Sequence, residues 1–357
     1  MPKYDVVIAG AGLAGTTAAF HLSKGSRVLL IEASGVGGGA TGVGAGIASP
    51  ILARKGNPAY EARSALDDLD KLMAEVGFRA EPQRPLIRPA LDKRQLRYYE
   101  RSAVENPDLV EWLSTAESLA RYPGVSAPLG SLRLKRGHVI NMRNFAIRVA
   151  AAAAERGCEI VAPAQLESWE ESADDVAVRF SNAGNRREAV RATRLILAMG
   201  VGYHTFESLR ELNLHPVKGQ LIRATCPAAL CDLPNVTGPG YLAHDSGDIV
   251  LGSTFEHGVV DTKPSGNATR EILSKMLPLV TGVRDADYSA SAGVRVTVPG
   301  TRLPMLGPIS AGGRTWIYTG LGSKGLLMSA YLSARLPTYL ADPEEIPVRM
   351  RPHLATK

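Results

Sequence analysis

The sequence predicts an α/β fold in which a doubly wound parallel sheet carries an inserted, mainly antiparallel sheet. The N-terminus shows an apolar run at Tyr4–Ala9, apolar residues at helical spacing over Leu13–Lys24, and a second apolar run at Arg27–Ile31. Such a strand–helix–strand start is typical of doubly wound sheets. From Gln220 to Val298 the pattern changes to the alternation of antiparallel strands, and Thr315–Leu336 returns to a buried strand and a helix.

Further elements follow from the same periodicities. Helices are predicted at Ala65–Val76, with Ser64 as its N-cap, and at Phe145–Arg156, which Gly157 would end. Gln95–Leu113 mixes charged residues with sparse apolar ones and receives no assignment. Short strands are predicted at Glu159–Ala162, Leu166–Glu170, Val176–Phe180, Ala189–Ala192, Leu195–Ala198, Gln220–Thr225, Gly240–His244, Asp248–Thr254 and Ala290–Val298.

Composition excludes several classes of protein. No apolar run approaches the ~20 residues that span a bilayer, so no membrane partner is expected. The apolar stretch Val6–Leu13 is interpreted as a strand rather than a signal peptide, because its removal would destroy a glycine motif, and the expected location is cytoplasmic. Cys158, Cys226 and Cys231 are too few for a disulfide framework, and no Cys or His spacing typical of a metal site occurs, so no metal is expected.

The chain is basic, with a formal net charge of +6 and a pI of about 9.2. Basic residues cluster twice, at Arg79, Arg84, Arg88, Lys93, Arg94, Arg97 and Arg101, and at Arg133, Lys135, Arg136, His138 and Arg143. Two interpretations remain open for these clusters: a solvated surface, or a site for a nucleic acid or another anionic substrate.

A G-x-G-x-x-G motif, formed by Gly10, Gly12 and Gly15 with Leu13 and Ala14 inside it, joins the first predicted strand to the first helix. The first glycine of such a turn permits a tight bend, the second lets backbone approach a pyrophosphate, and the third lets the helix pack close to the sheet. The helix N-terminus then offers free N–H groups to the phosphates.

A carboxylate follows the motif at the expected distance. Glu32, with Ala33 after it, closes the second strand about 20 residues on, where a carboxylate accepts hydrogen bonds from ribose hydroxyls. An acidic residue at this place argues against a 2′-phosphate and hence against NADP. The combination predicts a bound dinucleotide, and a purely structural glycine turn is the alternative.

Two further glycine-rich segments favour FAD over NAD. Gly37–Gly46 includes Gly39, Ala40, Thr41 and Gly46, and such a glycine density fits backbone that runs along a flat ligand, although a flexible surface loop is the alternative. Gly200 ends another apolar strand beside the cofactor.

The last helix is opened by a glycine turn that contains Gly322, Ser323, Lys324, Gly325 and Leu326. This turn could place N–H groups and the Lys324 ammonium at the pyrimidine end of an isoalloxazine, where negative charge develops on hydride transfer. An NAD fold has no need of such an element.

The alternation of these blocks predicts a discontinuous Rossmann-type FAD-binding domain with an inserted substrate domain. Residues 1–82, 139–215 and 299–357 are assigned to the FAD-binding domain. Residues 83–138 and 216–298 are assigned to the substrate domain, whose sheet would be mainly antiparallel.

The order of the motifs resembles the D-amino-acid oxidase and glycine oxidase superfamily of FAD-dependent oxidoreductases over nearly the whole chain. The motifs that carry this resemblance are Gly10–Gly15, Glu32, Gly39–Gly42, Leu197–Gly200, Pro216–Gln220 and the C-terminal glycine turn.

A narrower resemblance is to the oxidoreductase half of the bifunctional bacterial enzyme that makes 5-methylaminomethyl-2-thiouridine in tRNA. It is carried by Gly46–Leu52, Gly240–Leu242, Gly252–Phe255, Gly293–Arg295, Leu303–Gly307 and Gly322–Leu326. These 357 residues contain no counterpart of that enzyme's methyltransferase half, and they carry Lys324 where an Arg is expected.

Arg295 lies in the middle of a predicted apolar strand, and a buried Arg needs an anionic partner. The resemblance implies that Arg295 binds the substrate carboxylate; a structural salt bridge to a protein Asp or Glu is the alternative. Tyr241 could line the same pocket or be an ordinary strand Tyr.

The resemblance implies oxidation of a C–N bond, in which the flavin takes a hydride from the carbon beside a neutral amine. The implied substrate is carboxymethylaminomethyl-uridine in tRNA, which would lose its glycine unit as glyoxylate. Free glycine, sarcosine or a D-amino acid is the main alternative, because glycine and sarcosine carry the same N–CH2–COO⁻ group. A flavin-binding module without turnover is a third possibility. The sequence does not give the oligomeric state.

Overall fold

Two large sheets, a two-stranded ribbon and the helices packed on them organise the chain. The computed structural model describes residues 3–52, 55–79, 84–184 and 186–353. The helices are α1 Leu13–Leu22, α2 Ala62–Glu75, α3 Lys93–Glu105, α4 Thr115–Arg121, α5 Met142–Glu155, α6 Ala268–Met276 and α7 Gly325–Ala341. In the described part of the chain no helix is both long enough and apolar enough to cross a membrane.

The first sheet begins with the predicted strand–helix–strand unit and confirms the α/β class. Its strands are β1 Lys3–Ala9, β2 Val28–Ile31, β8 Glu159–Val161, β9 Ala164–Glu171, β10 Val176–Asn182, β11 Arg187–Leu197, β18 Met305–Pro308 and β19 Thr315–Thr319. Strand β1 lies between β2 and β11 and is parallel to both, and β8 and β19 extend the parallel arrangement on either side. This sheet therefore gathers its strands from both ends and the middle of the chain.

The second sheet is mainly antiparallel, as predicted, but it is larger than the block that the sequence indicated. Its strands are β4 Leu86–Pro89, β5 Val110–Leu113, β6 Ser131–Leu134, β12 His215–Thr225, β13 Asn235–Thr237, β14 Tyr241–Asp245, β15 Asp248–Gly252, β16 Glu256–His257 and β17 Ser289–Thr297. Its β4 pairs in parallel with β13, so one sheet joins segments that lie far apart in sequence. A ribbon of β3 Ala45–Ala48 and β7 His138–Asn141 stands beside it. The proposed domain boundaries stay a prediction, and the one at 82/83 lies outside the described residues.

Several predicted elements need correction. Ser64 is not an N-cap, because α2 begins one turn earlier, after Glu61, whose φ is 47°. The separate strands Ala189–Ala192 and Leu195–Ala198 are one strand, β11, because Thr193 and Arg194 interrupt the apolar pattern without interrupting backbone pairing. The unassigned stretch Gln95–Leu113 holds most of α3 and all of β5.

The glycine motif fixes how closely α1 approaches the first sheet. A Cβ atom on Gly15 would stand 1.7 Å from the carbonyl oxygen of Gly10, so only glycine allows this approach. Gly10 has a φ of +105°, and a Cβ there would meet the carbonyl oxygen of Ala198 at 2.5 Å. The turn is therefore held between the ends of β1 and β11, with α1 buried against α5 and α7.

Candidate active site

The glycine turn opens α1 without any acidic side chain in the first helical turn. Gly12 is the N-cap residue, and Leu13 and Ala14 begin the helix. The N–H of Leu13 donates to the hydroxyl of Thr41 at 3.2 Å. No acidic side chain offsets the partial positive charge of this helix N-terminus. The N-terminus therefore favours an anionic ligand such as a pyrophosphate.

A carboxylate is held beside the same turn. Glu32 follows β2, and its Oε2 accepts a hydrogen bond from the N–H of Ala11 at 2.6 Å. Its Oε1 accepts from the N–H and the hydroxyl of Ser34 at 2.9 and 3.0 Å. Ala33, between them, is exposed. The structure thus places a carboxylate next to the glycine turn, and its proposed role toward ribose hydroxyls stays a prediction.

The second glycine segment is ordered backbone rather than a long flexible loop. Ala40–Gly42 forms a single 3₁₀ turn, and β3 follows at once, with Gly46 paired to Ile140 of β7. Space is open where a side chain on Gly39 or on Gly200 would stand. These two openings lie near the α1 turn, since Thr41 bonds to it and β11 ends against it.

One face of the second sheet lies against this segment. Gly293 pairs with Gly219, and a Cβ on Gly293 would meet Val43 at 2.9 Å and the Cα of Ala40 at 3.3 Å. A Cβ on Gly44 would lie 2.9 Å from Leu221 of β12. Because Gly44 and Gly293 have no side chains, the glycine segment and the second sheet can approach each other closely.

Arg295 projects from this face of β17 and has no anionic partner. Its Nη2 is buried without a hydrogen bond, and its guanidinium forms no ion pair within the described residues. The guanidinium passes over Gly219, where a Cβ would stand 2.9 Å from Nη2, and its Cζ lies 5.1 Å from the ring centroid of Phe255. Burial lowers the pKa of Arg295, yet a guanidinium keeps its charge. Because Nη2 is buried and has no partner in the described chain, the guanidinium is suited to bind an anion from outside it.

Tyr241 lies in the same row of the sheet as Leu221. It pairs with Gly252, and the phenol occupies the space over that glycine, where a Cβ would be 2.6 Å from Oη. Burial raises the pKa of Tyr241 to about 12, although the nearby Arg295 and Arg223 act in the opposite direction. The phenol therefore stays protonated and can donate a hydrogen bond to a ligand.

The C-terminal glycine turn, which follows β19 of the first sheet, contacts both the end of β17 and the start of α1. Leu321 bridges to Thr297 at the end of β17, two residues from Arg295, and Gly322 has a φ of +55°. Leu326 faces Gly46, where a Cβ would meet its Cδ1 at 2.4 Å, and Gly325 lies over Leu13. The predicted cofactor residues of all three glycine segments therefore meet in one place, with Ser323 on the exposed side of the turn.

Lys324 has a protein partner. Its Nζ donates to the carbonyl oxygen of Arg302 at 3.0 Å, and burial together with the charge of Arg302 lowers its pKa. The proposed role of Lys324 toward a flavin stays a prediction, because this hydrogen bond could also serve only to fix the 299–302 turn.

The arrangement fits a flavin dinucleotide and defines the class of the protein as a flavin-dependent oxidoreductase. We call the space beside Gly39 and Gly200 the cradle. The glycine turn Gly10–Gly15, the Glu32 carboxylate and this cradle would hold the dinucleotide. The unpaired Arg295 lies at the far side of the same cradle and suits an anionic substrate. No group of three or more potential metal ligands occurs in the described ranges.

Comparison with known proteins agrees with this class. The DAO family, described as FAD dependent oxidoreductase, matches residues 5–340. Glycine oxidase of Pseudomonas aeruginosa is 27% identical over 94% of this chain and 93% of its own. The tRNA 5-methylaminomethyl-2-thiouridine biosynthesis bifunctional protein MnmC of Maricaulis maris is 29% identical over 94% of this chain but only 52% of its own length. The crystal structure of glycine oxidase from Geobacillus kaustophilus superimposes with a TM-score of 0.82 at 21% identity, covering 96% of this chain and 95% of that one.

The chain belongs to the DAO family of FAD-dependent oxidoreductases. It is an enzyme that uses FAD to oxidise amines or amino acids. The predicted family and cofactor are thereby confirmed.

Sequence reasoning missed several residues that shape the site. Gly44, Gly219 and Gly252 create the space for Leu221, Arg295 and Tyr241, and Phe255 contacts the guanidinium. The sequence did offer a signal: Gly44 lies within the predicted cofactor segment Gly37–Gly46, and Gly219, Gly252 and Phe255 lie inside motifs that carried the family resemblance. Nothing local in the sequence shows that these residues share one face of a sheet.

Lys324→Met is expected to slow the bleaching of flavin absorbance by an amine substrate by about 10²–10³, since one lost charge-stabilising group of this kind has that effect. Lys324→Arg, which keeps the charge, should retain most of the rate. Rapid-mixing absorbance under anaerobic conditions measures both. A reduction rate equal to that of the unmodified enzyme would assign Lys324 to fixing the Arg302 turn alone.

Proposed function

We propose that this enzyme oxidises the C–N bond of an N-substituted glycine, R–NH–CH2–COO⁻. The observation that supports this most directly is the buried Nη2 of Arg295, which lacks any partner within the described chain. A bidentate carboxylate matches the fork of a guanidinium, and the N–CH2–COO⁻ group brings its carboxylate within one carbon of the C–H bond to be broken.

Each residue of the site has a separate task in this proposal. Arg295 binds the carboxylate and orients the methylene group, and the neutral phenol of Tyr241 donates a hydrogen bond to the same substrate. When bound, FAD would supply the redox chemistry as the acceptor of a hydride from the methylene carbon. The substrate nitrogen loses a proton, the resulting imine is hydrolysed by water, and the products are glyoxylate and the amine R–NH2.

Arg295→Ala should raise the KM for carboxylate-bearing amines by an amount equivalent to about 2–5 kcal/mol, the usual cost of removing one partner of a buried charge pair. FAD content should not change, because Arg295 is not one of the predicted dinucleotide-binding residues. As a matched control, Arg223→Ala removes an Arg of the same sheet that is paired with Asp245 and Asp248 and should leave the KM for the amine unchanged.

Steady-state kinetics with sarcosine and the flavin absorbance of the purified variants measure these effects. An Arg295→Ala enzyme with an unchanged KM, or one that no longer folds, would favour a structural role for this residue.

The larger part of the substrate is proposed to be tRNA carrying carboxymethylaminomethyl-uridine, which would leave as aminomethyl-uridine. The surface of α3 supports a polyanionic substrate. Lys93, Arg94 and Arg97 are exposed and form no ion pair among the described residues, and the ring of Tyr98 lies under the guanidinium of Arg94. A tRNA substrate would place the reaction in the cytoplasm.

The second basic cluster gives less support. Arg133 pairs with Glu111, Arg136 pairs with Asp67 and Asp70, and His138 also bonds to Asp70. These contacts neutralise much of the cluster within the protein. Arg88, from the first cluster, is buried in β4 and bonds to Thr237 and to backbone carbonyls, so it does not reach the surface.

Helix α3 packs on the chain that precedes α2. The hydroxyl of Ser102 donates to the carbonyl oxygen of Gly56, and Tyr99 packs beside the same glycine.

The alternative substrate is a free small amine acid. The core site supports glycine, sarcosine or a D-amino acid as well as it supports the nucleoside, because all of them carry the carboxylate that Arg295 would bind. A flavin-binding module without turnover would not need a buried, unpaired Arg in the cradle.

Replacing Arg94 and Arg97 with Glu is expected to weaken tRNA binding and to reduce the slope of log K against log salt by roughly one per lost phosphate contact. The same variant should retain its kcat with sarcosine. A control with Arg186→Glu and Arg210→Glu should bind tRNA like the parent, because both residues are exposed and lie outside α3, Arg186 between β10 and β11 and Arg210 between β11 and β12.

Filter binding across a salt series and nucleoside analysis of treated tRNA provide the measurements. Untouched carboxymethylaminomethyl-uridine, together with rapid flavin reduction by glycine or sarcosine, would contradict the tRNA assignment and support the small-amine alternative.

A further inference from the structure

Strand β12 sends alternate side chains to opposite faces of the second sheet. Val217 and Gly219 lie on the face of Arg295. Lys218 and Gln220 point to the other face and are almost fully buried, with 4% and 1% of their surfaces exposed. Two buried polar side chains in a strand that is paired on both sides need partners, and neither takes part in the proposed chemistry.

Lys218 holds a segment that is otherwise exposed. Its Nζ donates to a carboxylate oxygen of Asp261 at 2.8 Å and to the carbonyl oxygen of Lys263 at 2.6 Å. The side chain of Asp261 is 55% exposed, so the pair joins a buried cation to a surface carboxylate.

Gln220 holds the two ends of the same segment. Its amide nitrogen donates to Glu256 and, at 3.0 Å, to the hydroxyl of Ser265, and its oxygen accepts from the N–H of Ser265 at 2.6 Å. The backbone N–H of Gln220 donates to the hydroxyl of Thr254 at 3.0 Å. We call residues 255–265, from Phe255 to Ser265, the clamped segment.

The clamped segment begins with the aromatic residue that covers the substrate Arg. The ring centroid of Phe255 lies 5.1 Å from Cζ of Arg295, and the residue is 56% exposed. The neighbouring Thr254 and Glu256 both bond within the Gln220 network. The residues on either side of Phe255 are therefore anchored to Gln220, while Lys275, which bonds to the carbonyl oxygen of Ser253, also lies over the Phe255 ring.

We infer that Lys218 and Gln220 are positioning residues that hold Phe255 against Arg295 and thereby set the affinity of the enzyme for a substrate carboxylate. This inference rests on the proposed role of Arg295. An aromatic face attracts a guanidinium and keeps water from one side of it, so hydrogen bonds from that guanidinium to a carboxylate form in a less polar environment.

The test measures the binding of glycolate, which carries the carboxylate and a hydroxyl in place of the amine, by the change that it causes in flavin absorbance. Lys218→Met should raise the Kd for glycolate by about three- to tenfold, the range that loss of a cation–π contact represents. With sarcosine, KM should rise by a similar factor while kcat stays within about twofold of the parent.

Lys263→Met is the matched control. It makes the same substitution in the clamped segment, but Lys263 contributes only its backbone carbonyl to Lys218. Its Kd for glycolate should equal that of the parent. Asp261 lies at the surface, so changing it tests the same contact without altering the core. Asp261→Ala should reproduce the loss of affinity for glycolate. Asp261→Asn, which keeps an acceptor oxygen, should retain most of the affinity of the parent.

A double variant separates positioning from general damage. If Lys218 acts through Phe255, the effects of Lys218→Met and Phe255→Ala on the Kd should not add, because Phe255→Ala already removes the ring. Additive effects, or an unchanged Kd in both Lys218→Met and Asp261→Ala, would overturn the inference. If Arg295→Ala binds glycolate as tightly as the parent, the proposed function fails instead.

Discussion

The unpaired guanidinium of Arg295 is the interaction on which the organisation of the site depends. Leaving a partly buried cation without an anionic partner is costly, and within the described chain the guanidinium fills the space over Gly219 and faces the aromatic ring of Phe255. Protein stability alone does not account for such a residue in the middle of a strand. In this account the substrate supplies the anionic partner, and its carboxylate forms the ion pair that Arg295 lacks in the described chain.

Close backbone approach is the second constraint, and glycines provide it on both sides of the cradle. In the first sheet, Gly10 and Gly15 bring the start of α1 against the strand ends. Across the cradle, Gly44 and Gly293 bring the glycine segment against the second sheet. The glycine segments therefore let backbone of both sheets approach the same part of the molecule closely.

The parts of the fold that depend on local pattern were predicted from the sequence. The glycine turn, Glu32 and the strand Thr315–Thr319 follow from residue spacing and apolar runs, and the structure has them where the pattern predicted. Secondary-structure ends were less accurate: β12 begins at His215 rather than Gln220, and this difference is what places Lys218 inside the sheet.

Features that depend on long-range pairing could not be predicted. The second sheet joins β4 to β13, and the neutralisation of Arg133 and Arg136 depends on acidic residues that are distant from them in sequence or lie in other elements. The two basic clusters look alike in sequence, and only the fold shows that Arg133 and Arg136 are paired with acidic residues, whereas Lys93, Arg94 and Arg97 form no ion pair among the described residues. The link from Lys218 to Phe255 passes through the sheet, so no local motif reveals it.

The central claim is that recognition of a carboxylate by Arg295 selects the substrate. The most direct measurement compares the reduction of the flavin by sarcosine with its reduction by sarcosinamide, which has the same amine and methylene group but a neutral amide, in the unmodified enzyme under anaerobic conditions. The account predicts that sarcosine reduces the flavin with saturation kinetics and that sarcosinamide is poorer by at least about 30-fold in kcat/KM, the lower end expected for a lost buried charge pair. Equal kcat/KM values for the two compounds would contradict it.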